Sequence, residues 1–321
     1  MGTGPALLCD TGWITHLRGQ LSLFSFSEFL DRLARHFTVI RYDKPGCGLS
    51  DRDGIDLSFE GQVAAAMAVA DAVGARRLRL FGASQGGQLA AAIAARHPDR
   101  VEALVVYGTC ASGRDLVSPE ARHSVVALVR ANWGMGLQAL TSAFVTDPTA
   151  EQAATFTTFQ RASSSAEVAA QLLDVYYDTD IRALLPAIRT PTAVLHREGD
   201  RGTPFALGRE VAALVPGATL IPLPGSSHLF YHGDWEAVLE AIVGFLTPPT
   251  PPTSPRGERL TDRESEVADL VTDGLTNHAI ATRLSVTPRT IESHVENIRR
   301  KLRVNSRAQI AAWVTEQRLR P

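Results

Sequence analysis

The serine in LRLFGASQGG, residues 78–87, stands between two glycines as Gly82-x-Ser84-x-Gly86, with an apolar run before it and an alanine-rich helical pattern after it. Small flanking residues let such a serine take a sharp strand-to-helix turn, which lifts its hydroxyl clear of a sheet at a helix N-terminus that favours negative charge. That is how a nucleophile is presented. The alternative is a serine that ends a strand and caps the following helix. A nucleophilic serine also needs a base, and the base needs an acid to orient it. Of nine histidines, His228 in LPGSSHLFYHGD lies on a loop just past the last strand-like run, and Asp200 in VLHREGDRGTP follows the preceding run in the same way. Each alone could be a loop Asp capping a helix or an ordinary surface or core His. Together they fall in the order serine, acid, histidine at three strand ends. His36, His97, His123, His196 and His232 have no comparable placement.

The elements that must position these groups follow from hydropathy patterning. Short β-branched or apolar runs at 37–43, 77–83, 101–108, 192–199 and 218–225 alternate with helical patterns. Strands separated by helices give a mostly parallel sheet covered on both faces, with sites at the carboxyl ends of the strands. From about 115 to 185 a helical stretch dotted with Trp133, Phe144, Phe156, Phe159, Tyr176 and Tyr177 interrupts the alternation, as a cap over a pocket would. The prolines of LTPPTPPTSPRGER, residues 246–259, exclude helix and inner strand and favour an extended spacer over a long surface loop. The organisation expected is an α/β domain over 1–246, a linker over 247–257 and a small all-α domain over 258–321.

With 321 residues, 45% of them hydrophobic, the chain has room for such a pair of domains, and a formal net charge of −2 excludes a uniformly basic DNA packager. No apolar run approaches the length needed to cross a bilayer, and MGTGPALLCDTG lacks the basic start and apolar stretch of a signal peptide, so no membrane partner and a cytoplasmic location are expected. Cys9, Cys47 and Cys110 are odd in number and form no CxxC pair, which argues for reduced thiols and against a metal site. No metal and no cofactor is expected.

Residues 4–246 resemble an α/β-hydrolase domain. The likeness rests on GASQGG, on VIRYDKPGCGLSD with Asp43, Gly46, Gly48 and Ser50, on RHPDRV, and on the Asp200 and His228 loops. It implies Ser84 as nucleophile, His228 as base and Asp200 as acid. It also implies an oxyanion hole from the backbone N–H of Gln85 and one from the loop after LLCD, at Gly12 or Trp13. An antiparallel hairpin usually precedes the strand that PALLCD matches; here the start of the sequence lies almost at that strand, so either an upstream segment supplies the hairpin or the sheet has a bare edge.

The tail divides into helical runs at 262–273, 277–284, 288–302 and 306–318. Thr261 with Glu264 forms a capping box, and Asn277, Thr287 and Ser306 stand at N-cap positions. Two short helices joined by a tight turn at SVT have helix-turn-helix spacing. Residues 258–319 resemble the LuxR-type (GerE-like) DNA-binding domain. From Arg289 onward Arg299, Arg300, Lys301, Arg303, Arg307, Arg318 and Arg320 outnumber Glu292, Glu296 and Glu316, a cluster suited to phosphate contact. The resemblance implies a DNA surface of Thr276, Asn277, Thr287, Arg289, Thr290, Glu292, Ser293, Glu296, Asn297, Arg299, Arg300, Lys301 and Arg307. Glu292, Ser293 and Glu296 would face the major groove, with Thr290 capping inward and Ile291 and Val295 in the core. The last run, with Ile310, Ala311, Trp313 and Val314, would be the dimerisation helix.

The expectation is a transcriptional regulator whose hydrolase-like domain senses, and in one version cleaves, a small hydrophobic ester, lactone or acyl compound. Its partners would be an inverted-repeat DNA operator and a second copy of the chain, with RNA polymerase a further candidate. The competing expectations are a working serine hydrolase with a DNA-tethering tail, and a scaffold in which the hydrolase fold only dimerises.

Overall fold

The computed structural model describes residues 1–247, 260–273 and 275–302, together with residues 304, 307, 310, 311, 313 and 314. It divides into two compact units, Met1–Pro248 and Pro249–Pro321. The proline-rich stretch from residue 248 to 259 lies outside the described residues, as do Arg303, Ser306, Glu316, Arg318 and Arg320.

In the first unit the chain runs through β1 (Ala6–Asp10), α1 (Phe26–Leu33), β2 (Thr38–Ile40), α2 (Phe59–Ala72), β3 (Leu78–Ala83), α3 (Gln85–Arg96) and β4 (Val101–Tyr107). Four helices follow, α4 (Pro119–Ala131), α5 (Trp133–Phe144), α6 (Ala150–Ser163) and α7 (Ala166–Asp178), and then β5 (Thr192–Arg197), α8 (Phe205–Leu214), β6 (Thr219–Leu223) and α9 (Trp235–Leu246). The six strands form one sheet in the order β2-β1-β3-β4-β5-β6, every pairing parallel. All their carboxyl ends therefore open on the same edge, where the loops carrying Ser84, Asp200 and His228 begin.

The period of two along each strand divides the core. Leu7, Cys9, Phe81, Ala83, Val105, Tyr107, Ala193 and Leu195 face α1 and α9, while Leu8, Leu78, Leu80, Leu104, Val106 and Val194 face α2, α3 and α8. β3 is buried along its whole length, as a central parallel strand should be. β2 is only three residues long, shorter than the 37–43 run suggested, because Tyr42 and Asp43 leave the ladder to make side-chain bonds instead. At the outer edge of β2, Val39 exchanges both backbone bonds with Met1, 2.7 and 3.0 Å, so the start of the chain itself covers that part of the edge.

Helices α4–α7 are inserted between β4 and β5. The two ends of the insertion meet at a Ser112–Asp180 bridge and a Gly113 N–H to Thr179 carbonyl bond of 2.9 Å. Ser118, Asn132, Thr149 and Ser165 each cap the following helix with a side-chain oxygen. The insertion packs its own apolar residues, Val126, Val129, Leu140, Leu172 and Leu173, on Trp13, Ile14 and Cys47 of the loops below.

In the second unit α10 (Asp262–Thr272), α11 (Asn277–Leu284) and α12 (Pro288–Leu302) surround a core of Val267, Leu270, Ile280, Ile291, Val295 and Ile298. The capping box of Thr261 and Glu264 is formed. Thr276, one residue before the Asn277 position suggested by sequence, caps α11, its hydroxyl accepting from the Ala279 N–H at 3.3 Å. The turn passes through Ser285 at φ 53°, and Thr287 accepts from the Thr290 N–H to start α12. Arg307, Ile310, Ala311, Trp313 and Val314 are helical.

Candidate functional site

Ser84 joins β3 to α3 at φ 56° and ψ −125°. A non-glycine residue there costs of order 1–3 kcal/mol, strain that the surroundings must impose. They do so by close approach: a Cβ at Gly82 would strike the Gly86 carbonyl, and one at Gly86 would strike the Asp10 backbone. The Ser84 N–H is held by the Tyr107 carbonyl at 2.8 Å, and its own carbonyl accepts from Thr109 Oγ1 at 3.1 Å.

His228 lies on the loop after β6. Its Nδ1 is 2.9 Å from Asp200 Oδ2 and 3.1 Å from Oδ1. Asp200 is fixed in turn by the N–H groups of Gly202 and Thr203, which reach Oδ1 at 2.8 and 3.0 Å. Burial pushes the Asp200 carboxyl up, but the facing His228 and the Thr203 N–H outweigh it, and the net effect is downward. Asp200 is thus an anion facing Nδ1, the arrangement that keeps the Nδ1 proton in place and leaves Nε2 as acceptor. The cap touches this histidine directly, since the His228 N–H donates to the Phe144 carbonyl at 3.1 Å and the two rings lie 5.4 Å apart.

Ser84, His228, Thr11, Gly12 and Trp13 line one cavity with Phe144, Phe156, Phe159, Leu229, Phe230 and Tyr231. Its volume is about 490 Å³, part of it open to solvent. No Asp, Glu, Lys or Arg side chain is among its lining residues, so the walls suit a neutral, largely apolar guest. Gln85 opens α3, and the Gly12 N–H is turned to Asp10 Oδ1 at 3.5 Å. Ser84 Oγ itself is 3.3 Å from the hydroxyl of Tyr176 on α7.

Three supports of this site gave no signal in a motif reading. Lys44 is fully buried, its Nζ 3.0 Å from Asp10 Oδ1 and 3.2 Å from Gln85 Oε1, while Tyr42 donates to Asp10 Oδ2 at 2.6 Å. A buried ion pair thus braces both candidate oxyanion segments from behind. Arg197, also buried, ties the His228 loop to β5 through the Ser227 and Asp234 carbonyls at 3.2 and 3.1 Å. His196 stands behind Asp200, its Nε2 2.7 Å from the Thr203 carbonyl and 3.7 Å from Asp200 Oδ2. Only the spacing of His196 four residues before Asp200 could have hinted at this role.

On the second unit, Arg289, Thr290, Glu292, Ser293, Glu296 and Arg300 are exposed along α12, and Asn297 and Arg299 half-buried, opposite Ile291, Val295 and Ile298. Thr290 is exposed and pairs with the Thr287 hydroxyl at 2.8 Å, instead of capping inward. Several of the expected phosphate-binding cations are engaged within the unit, Arg299 with Glu296 at 3.9 Å among them. Lys301 Nζ is 2.7 Å from Glu264 Oε2, and Arg307 donates to Asn277 Oδ1 at 2.8 Å and to the Leu275 carbonyl. Thr276 likewise spends its hydroxyl as a cap.

Comparison with known proteins bears on both units. Residues 5–234 match the alpha/beta hydrolase fold family, and residues 258–314 match the luxR family of bacterial regulatory proteins. The pimeloyl-[acyl-carrier protein] methyl ester esterase of Chromobacterium violaceum is 30% identical over 259 residues, which is 77% of this chain and 96% of that one. The nitrate/nitrite response regulator protein NarL of Escherichia coli is 32% identical over 84 residues, 26% of this chain and 39% of NarL. Among solved structures, the enol-lactonase of Burkholderia xenovorans superposes with a TM-score of 0.67 at 25% identity, covering 77% of this chain and 92% of the lactonase. The chain belongs to the alpha/beta hydrolase fold family and carries at its carboxyl side a luxR-family helix-turn-helix domain.

Proposed function

We propose that this protein is a DNA-binding transcriptional regulator whose hydrolase-fold unit captures a small, neutral, hydrophobic ester, lactone or acyl compound, with Ser84, His228 and Asp200 as its reacting triad. The observation that carries the reading is the Asp200–His228 pair opening onto the same aromatic cavity as Ser84, in a chain that also holds a helix-turn-helix unit.

In this reading His228 Nε2 takes the Ser84 hydroxyl proton as Oγ bonds to the carbonyl carbon of the guest. The carbonyl π pair moves onto oxygen, where the N–H groups of Gln85 and Trp13 receive it. Trp13 is preferred over Gly12 because the Gly12 N–H is directed at Asp10. The imidazolium then returns its proton to the departing alkoxide, which leaves as an alcohol or, for a lactone, stays tethered to the acyl group. Water repeats the sequence to free Ser84.

A second reading, a serine hydrolase whose tail serves only to hold it on DNA, is favoured by the esterase relative that aligns along nearly its whole length. Labelling with a fluorophosphonate, with Ser84→Ala as control, tests the triad common to both. Titration of a selected DNA duplex with labelled and unlabelled protein separates them: a regulator changes its affinity when the pocket is filled, and a tethered enzyme does not.

A further inference from the structure

Among the described residues, Tyr176 is the one side chain hydrogen-bonded to Ser84 Oγ, at 3.3 Å, and no such bond joins Ser84 to His228. Tyr176 does not line the aromatic cavity that Ser84 and His228 share. Its phenol is buried, with Cys110 Sγ at 3.9 Å as a second neighbour. Burial also raises the phenol well above its ordinary range, so it remains an uncharged hydroxyl.

The residue belongs to the cap. It lies in the last turn of α7, where the chain returns to the sheet: Gly113 packs so tightly on the Tyr176 carbonyl that a Cβ there would strike it, and the Gly113–Thr179 and Ser112–Asp180 bonds lie within four residues. Any displacement of this last turn of α7 would carry the phenol with it. The Ser84 backbone cannot follow, because the glycines around it and the Tyr107 and Thr109 bonds hold the turn.

Resting on the reading of Ser84 as nucleophile, we propose that Tyr176 is a positioning residue that holds the Ser84 hydroxyl away from His228, so that the cap sets how readily the serine can attack. A serine hydroxyl has one proton to donate. While that proton is directed at the phenol oxygen, His228 cannot begin to remove it.

The test is the second-order rate of fluorophosphonate labelling of the full chain, wild type against Tyr176→Phe, with the adduct located by peptide mass spectrometry. In labelling the Oγ–P bond forms, the P–F bond breaks, and the serine proton passes through His228 and leaves with fluoride. Phenylalanine keeps the ring and its stacking on Tyr177, 6.1 Å between centroids, and removes only the hydroxyl. Loss of one hydrogen bond that restrains the serine should speed labelling about threefold to tenfold, and turnover of p-nitrophenyl butyrate should rise through kcat with little change in KM. A purely structural role cannot produce acceleration. Equal or slower labelling of a folded Tyr176→Phe protein overturns the restraint and leaves the hydrolase reading standing; slower labelling would show the phenol assisting attack. If wild type and variant both resist the probe, the nucleophile reading fails and the restraint fails with it.

Discussion

At the scale of single residues, the Asp200–His228 contact makes the sharpest demand. Asparagine in place of Asp200 keeps the size of the side chain but loses the anion that holds the Nδ1 proton, so His228 turns its donor tautomer toward Ser84. Asp200→Asn should lower ester turnover by about 10³–10⁴ with little change in KM, measured with p-nitrophenyl butyrate. His196 carries a different expectation. Burial holds its imidazole below the ordinary 6.5, so it is neutral in the fold, with Thr203, Asp200 and His228 around it. A group whose folded pKa is depressed contributes stability that is present above the unfolded value and lost as pH falls through the folded one. The urea midpoint of the first unit should therefore drop as the pH falls below the ordinary histidine value, and His196→Gln should flatten that part of the curve. Asp200, also depressed, adds a further loss at lower pH that the His196 variant retains.

Elements show where the sequence was legible and where it was not. The β3 turn and α3 could be read because glycine spacing, an apolar run and a helical pattern all report the same local geometry. Helices α10, α11 and α12 of the tail were equally plain, with α11 and α12 bounded as expected. Side-chain pairing across distant elements leaves no such mark: nothing in DKPGCG says that Lys44 will reach Asp10, or in RRKL that Lys301 will turn inward to Glu264. Charge counting treats every cation of α12 as a phosphate ligand, whereas the fold spends Lys301 on a buried carboxylate. Lys301→Ala should accordingly destabilise the second unit by about 1–2 kcal/mol through the partner it strands, while the slope of log Kd against log salt stays unchanged. Arg289→Ala, on the exposed start of α12, should leave stability alone and reduce that slope by about 0.9. A fall in slope with Lys301→Ala, measured by fluorescence anisotropy on one duplex at several salt concentrations, would return that lysine to the DNA surface.

At the scale of the whole molecule, the question is whether the two units act on each other. One helix-turn-helix offers a small interface and a closed pair doubles it, so occupancy of an inverted repeat by two copies, half-sites about one helical turn apart, is the expected mode of binding. An event in the aromatic cavity can change that binding only if it favours one arrangement of the protein over another. The element best placed to have two arrangements is the cap, because it contacts two members of the proposed triad: Phe144 lies on His228, and the Tyr176 hydroxyl is hydrogen-bonded to Ser84. Acylating or phosphonylating Ser84 takes away the proton that the proposed restraint directs at Tyr176 on α7, and places new atoms beneath α5 and α6. A coupling of about 1–3 kcal/mol from such a change would alter DNA affinity roughly 5–150-fold. The full chain labelled with a fluorophosphonate should therefore differ from unlabelled protein in its affinity for a selected inverted-repeat duplex, and Ser84→Ala treated with the same reagent should not. Tyr176→Phe, already lacking the restraining bond, should start partway toward the labelled affinity and respond less. Identical isotherms for labelled and unlabelled wild type, with both proteins folded and dimeric on the duplex, would decide for a tethered enzyme over a sensor.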